Sequence, residues 1–288
     1  MKSAGESLRA ELVEARTGSF SGLEFLGIAR ERIYSPGKVD ADRAILDAVA
    51  ARLAASHHVR VISADRPLPE SAPAAVIFAM CQGPAALAAL RRWAAAGARV
   101  INSPAAIANA QRRRMIAAFE RHGIAHPTSR LLRTDAPQEL PAWVDSGAWL
   151  KRGDVHATHP DDVVRVDRHV DARATLRAMR RRGITWALVQ RDAAGDVLKF
   201  YAVRGRFFAC FAPPAAQPLP PADEAAVRRL AEAAGAALGL EVFGGDCVID
   251  REKNLSLIDL NDWPSYAACR SGACEAIASY LTAQTRST

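Results

Sequence analysis

Lysine is the scarce charge in this 288-residue chain: there are 5, against 33 arginines and 31 acidic residues, for a formal net charge of +7. Cysteine is also sparse, at five residues with no CxxC spacing, which argues against a disulfide framework or a zinc ribbon. Cys210 and Cys247 fall in apolar runs and read as core residues. There is no HExxH pair and no Walker or Rossmann glycine motif, so the common zinc-hydrolase and nucleotide-loop signatures are missing. No apolar run approaches the ~20 residues of a membrane helix. The start of the sequence, Met1-Lys2-Ser3 with Glu6 and Glu11, lacks a signal-peptide core. A soluble, cytoplasmic protein without a membrane partner is expected. The tight arginine clusters, Arg112 to Arg114 and Arg180 to Arg182, are not interleaved with aromatics as a single-strand binding surface would be. No nucleic-acid partner is expected either, and the dispersed arginine reads as compositional background.

What is present is ordinary globular material, 50% hydrophobic and 24% charged, in a chain longer than one typical domain of ~100–200 residues. Strand and helix signals alternate through the first hundred residues: an apolar run from Leu23 to Ala29, an amphipathic segment from Asp40 to Ala55, short strands at Val59 to Ser63 and Ala75 to Met80, and a helix from Pro84 closed by Gly97. This rhythm predicts a parallel α/β domain over residues 1–103. Residues 104–190 read as a second lobe, with helices before Gly123 and four strand candidates around a helix from Ala172 to Arg182. Residues 191–288 read as a third lobe, opening on a hairpin about Arg204-Gly205 and passing a proline-rich loop from Pro213 to Pro221.

Two features carry chemistry. The strands around Asp246 and around Asp259-Leu260-Asn261 each place an acid inside an apolar pattern, and a buried carboxylate is costly unless paired or bound to a metal. Period-two alternation puts Asp259 and Asn261 on one face, where an antiparallel neighbour brings Asp246 beside them. That oxygen-only set suits Mg²⁺. Asp250, Asn254 and Asp262 read instead as capping residues of strand ends. The second feature is the scarce lysine: Lys151 after Ala148-Trp149-Leu150, and Lys199 within Val197 to Val203, each interrupt a strand-like run. Two such lysines upstream of a metal site suggest phosphate contacts.

In this order the motifs resemble the ATP-grasp superfamily. The matching pieces are Ile101 to Ile107, Gly123-Ile124-Ala125-His126-Pro127-Thr128, Trp149-Leu150-Lys151, Leu188-Val189-Gln190, Lys199 to Val203, Gly245-Asp246 and Ile258-Asp259-Leu260-Asn261. The resemblance implies an N-terminal parallel α/β domain followed by two α+β lobes clasping ATP. It implies that Arg113, in a cluster with Arg112 and Arg114, contacts phosphate, as do Lys151 and Lys199, and that Gln190 begins the hinge over the adenine. Asp246, Asp259 and Asn261 would hold magnesium, two ions by that resemblance, with Mn²⁺ able to serve. His156 and Arg270 are candidates for the acceptor side, and Lys199 joins them as a catalytic candidate. The sequence departs from the family's pattern at the loop after Lys151, which has the single glycine Gly153, at Arg191 where Glu commonly follows the hinge Gln, and at Lys199 where ligases usually have Arg.

The compact layout is similar to glutathione synthetase-like and ribosomal-protein glutamate ligases, whereas Lys199 to Val203 and Asp259 to Tyr266 resemble segments of inositol trisphosphate 5/6-kinases. The leading expectation is an ATP-dependent carboxylate–amine ligase acting on a small-molecule or peptide acceptor. A small-molecule kinase is the alternative and a nucleotide-binding module without turnover the third, and a homo-oligomer is left open. Trp263 and Tyr266 read as packing residues.

Overall fold

The computed structural model describes residues 22–136, 139–212 and 219–285. Prolines 213, 214 and 218 of the predicted proline-rich loop lie outside the described residues. Among the described residues, no helix is long and apolar enough to cross a membrane.

The chain divides into two compact units: residues up to Pro104 together with those from Ser265 onward, and Ala105–Pro264. In the first, the apolar run Phe25–Ala29 is strand β1. Helix α1, Val39–Leu53, follows it and buries Ile45, Leu46, Val49 and Leu53 at helical spacing. Then come β2 (Val59–Ser63), β3 (Val76–Ala79), α2 (Pro84–Ala95) and β4 (Arg99–Ile101). The strands form a parallel sheet in the order β2-β1-β3-β4, as the alternating rhythm predicts.

Helix α3 (Pro104–Asn109) leads into α4 (Arg112–His122), which ends where Gly123 takes the left-handed conformation at φ 64°. Strands β5 (Ser129–Arg133), β6 (Ala148–Arg152) and β7 (Val163–Val166), helix α5 (His169–Arg181) and strand β8 (Trp186–Arg191) build an antiparallel sheet ordered β5-β8-β6-β7. Strands β9 (Asp196–Val203) and β10 (Phe207–Phe211), helix α6 (Pro221–Leu238), and strands β11 (Val242–Ile249) and β12 (Leu255–Asp262) build a second antiparallel sheet, ordered β10-β9-β11-β12. The last helix, α7 (Arg270–Gln284), packs on α1 and buries Ile277 and Leu281. The reading from sequence runs the third lobe to residue 288; the chain instead turns back after Pro264, because α7 has its apolar partner in the first unit.

Period-two alternation decides what faces what in the second unit. Leu150 and Val189 enter a core with Leu176 and Met179 of α5, whereas Leu198, Phe200, Phe243 and Leu257 enter another with Phe119 of α4 and Leu238 of α6. Burying each such side chain stabilises by roughly 1.5–3 kcal/mol. Trp149, Lys151 and Gln190 of one sheet, and Val197, Asp246 and Val248 of the other, are left on the opposite faces, where they line a common cavity. Trp263 and Tyr266 are fully buried.

Strand β11 runs between β9 and β12, and both neighbours crowd Gly245. A Cβ there would press on the Asp259 carbonyl oxygen and stand 2.8 Å from the Phe200 ring. Gly245→Ala is therefore expected to destabilise the protein by about 2–3 kcal/mol, read as a lower urea midpoint at unchanged slope.

Candidate functional site

The two antiparallel sheets enclose a cavity of about 260 Å³ within the second unit. Its charged end is set by register. On neighbouring strands Lys199 stands opposite Asp246, and Asp246 opposite Asp259, so the three form one row across β9, β11 and β12. A bulge in the β11–β12 pairing, where Asp246 meets Asp259 but Cys247 meets Leu257, inserts Ile258 as an extra residue. Leu257 and Leu260 can thus both reach the core while Ile258 and Asp259 both line the cavity. Asn261 follows on the Asp259 side of the strand, opposite Gly244.

Each acid in the row has a cation. Lys199 Nζ donates to Asp246 Oδ1 at 2.6 Å, and Arg112 Nη2 donates to Asp259 Oδ2 at 2.9 Å. The Arg112 side chain is only 4% exposed, and its Nη1 also donates to the Arg152 carbonyl at 3.2 Å. Burial would raise the Asp259 carboxyl; the positive charges of Arg112 and Lys151 outweigh it and hold the group at about 2. Lys151 is buried and donates to Gln190 Oε1 at 2.8 Å and to the bulge carbonyl of Ile258 at 2.9 Å. Its burial lowers the ammonium to about 8, against the opposing pull of Asp259. Gln190 is fixed at its other end, donating from Nε2 to Ser129 Oγ at 3.2 Å.

The loop after β6 is held rather than free. Asp162, fully buried, accepts from the backbone N–H groups of Thr158 and His159 at 2.7 and 3.0 Å and from Arg182 Nη2 at 2.6 Å. Arg152 spans Asp154 Oδ1 at 2.6 Å and Thr158 Oγ1 at 3.0 Å. His156 lies 12% exposed, with Nε2 3.3 Å from Asp262 Oδ1. Asp250 and Asn254 do close the β11–β12 turn, through Asn254 N–H to Asp250 Oδ1 at 2.8 Å. Asp262, the last residue of β12, is fully buried beside His156.

The structure brings Lys151, Gln190, Asp246 and Asp259 to the cavity and places Lys199 and His156 on their carboxylate neighbours. Arg270 opens α7 in the first unit and is not a lining residue. Of the clustered arginines, Arg112 lines the cavity, while the Arg113 guanidinium lies 5.1 Å from the centre of the Trp186 ring. Helical spacing carries the signal: Arg112 extends the buried stripe of Met115, Ile116 and Phe119, and Arg113 starts on the outer side. Trp149 and Asp192 also line the cavity; from sequence, Trp149 enters only within the run that ends at Lys151, without a role, and Asp192 does not enter. Among the described residues no group of three or more His, Cys, Asp or Glu is placed to hold a metal by itself. Two carboxylates and an amide fit a hard cation that keeps water or phosphate among its ligands, as Mg²⁺ does.

No family model matches the sequence, and no curated protein matches it. Solved structures do match. D-alanine–D-alanine ligase from Bacillus anthracis, complexed with ATP, is 9% identical with a TM-score of 0.69, over 91% of this chain and 99% of that one. A RimK domain ATP-grasp protein from Sphaerobacter thermophilus is 18% identical with a TM-score of 0.64, over 90% and 99%. The ATP-grasp ligase PsnB, complexed with a minimal precursor, Mg and ADP, is 17% identical with a TM-score of 0.61, over 92% and 99%. At these identities the likeness is one of fold.

Lys151 gives a pH test of the site. Between about 8 and its ordinary 10.5, the unfolded lysine keeps a proton that the folded one has lost, so stability rises with pH there. Relative to Lys151→Met, the wild type should gain about 1.4 kcal/mol per pH unit in that window, measured by urea unfolding of both proteins; the difference cancels the thiols that titrate alongside.

Proposed function

Taking the ATP-grasp fold as premise, we propose that this protein is an ATP- and Mg²⁺-dependent ligase that joins a carboxylate to an amine through an acylphosphate. The observation that carries the reading is the row Lys199–Asp246–Asp259 with Arg112 paired to Asp259 and Lys151 bound beside it, at one end of the cavity. Three cations and two carboxylates leave the cluster with a positive excess, which suits a polyphosphate.

In this reading Arg112 and Lys151 are fixed donors for phosphate oxygens, each already aimed by buried hydrogen bonds. Lys199, with its side chain 43% exposed, has room to leave Asp246 and follow the γ-phosphoryl group. Asp246, Asp259 and Asn261 would hold Mg²⁺, which neutralises phosphate charge when bound. The acceptor carboxylate oxygen attacks the γ-phosphorus and ADP leaves. The amine nitrogen then attacks the acyl carbon, loses a proton, and inorganic phosphate leaves. His156, set against the buried Asp262, is assigned to the acceptor side of the loop. A small molecule or a peptide would serve as acceptor.

Incubation of the protein with ATP, Mg²⁺ and candidate acceptors should yield ADP and free phosphate in equal amounts. ADP with a phosphorylated acceptor and no free phosphate would indicate a kinase, and no ADP a binding module. Asp259→Ala should abolish turnover, and full activity in that variant would remove the metal assignment. Arg112→Ala should lower kcat/KM for ATP by roughly a hundredfold or more, and Arg113→Ala by little; equal losses would return the role to the cluster as a whole.

A further inference from the structure

Resting on the nucleotide reading above, we propose that the Asp192 carboxylate selects the nucleobase by its exocyclic amino group, so that ATP binds and its inosine counterpart is rejected. The cavity runs from the charged row to an apolar end. Trp149 lies two residues before Lys151, and the opposed pair Val197 and Val248 lies one pleat beyond Lys199 and Asp246. With phosphates at the charged end, a base lies at the other, where Asp192 is the lining acid.

Asp192 is positioned, not loose. Trp149 Nε1 donates to its Oδ1 at 2.9 Å and Arg165 Nε to its Oδ2 at 2.8 Å, and the Ala193 backbone N–H also donates to it. A carboxylate offers about four lone-pair directions, so one acceptor remains. Burial would raise this carboxyl, but the Trp149 and Arg165 hydrogen bonds lower it, and the group stays anionic.

The neighbouring donors are engaged. The backbone N–H of Arg191 donates to Thr128 O at 2.8 Å and that of Asp192 to Gly147 O at 3.0 Å. Both ends of the Gln190 amide are bound, to Lys151 and to Ser129. Arg191 is exposed to water, which competes for its guanidinium. The base end therefore presents a fixed acceptor. An adenine amino group donates to it, whereas the oxygen of inosine at the same ring position sets lone pair against carboxylate.

The test is titration calorimetry of the full chain with Mg²⁺ and ATP, ITP or N6,N6-dimethyl-ATP, without acceptor. The wild type should bind ATP at least about tenfold more tightly than either analogue. Asp192→Asn, whose amide can turn its NH₂ toward a carbonyl, should bring ATP and ITP to within about threefold. Arg165→Met removes a partner but keeps the carboxylate, and should keep the wild-type preference. Equal binding of ATP and both analogues by the wild type, or an unchanged preference in Asp192→Asn, overturns the proposal while leaving the nucleotide reading intact. Binding of no nucleotide by the wild type overturns both. The dimethyl analogue keeps the test decisive if Asp192→Asn does not fold.

Discussion

Asp259 is a carboxylate with apolar neighbours on its own strand, and it stays ionised because Arg112 reaches it from helix α4 at 2.9 Å. Burying either partner alone would be strongly unfavourable; loss of one member of such a pair typically costs about 3–5 kcal/mol. The pair therefore binds α4 to β12, and much of the cavity's charge follows from it. Lys151 donates to the carbonyl next to Asp259, and the negative charge of Asp259 limits how far burial lowers the lysine. Lys199 and Asp246 repeat the arrangement on the adjoining strands with a more exposed lysine. Of the two cations paired with these acids, Arg112 is buried and Lys199 is half-exposed.

The bulge at Ile258 makes that geometry compatible with a packed sheet. In a regular strand, Leu257 and Leu260 would point to opposite faces, and one would leave the core. One extra residue keeps both leucines inside, puts Asp259 opposite Asp246, and turns the Ile258 carbonyl to Lys151. The crowding at Gly245 accompanies the same close approach of β11 to β12.

Much of this was legible in the sequence, because period-two and period-3.6 patterns report which side chains share a face. The strand at Val59–Ser63, and the antiparallel neighbour that brings Asp246 beside Asp259, are as read. What stayed hidden depends on contacts far apart along the chain. Asp162 sits in an unremarkable Pro-Asp-Asp stretch, yet Arg182, twenty residues on, reaches back to it beside the local donors Thr158 and His159. Asp192 and Trp149 meet across 43 residues. Asp262 is a strand-end acid in which nothing local announces that His156 is its neighbour. The return of α7 to the first unit was hidden for a similar reason: an amphipathic helix shows its apolar face in sequence, but not the surface that face will cover.

That return has a consequence for biosynthesis. Residues 105–264 all precede the helix that packs on α1 in the order of synthesis. The earlier-translated α/β layer keeps the α7-facing side of α1 uncovered until that last helix follows. The first and last stretches of the chain are thus the two halves of one layer.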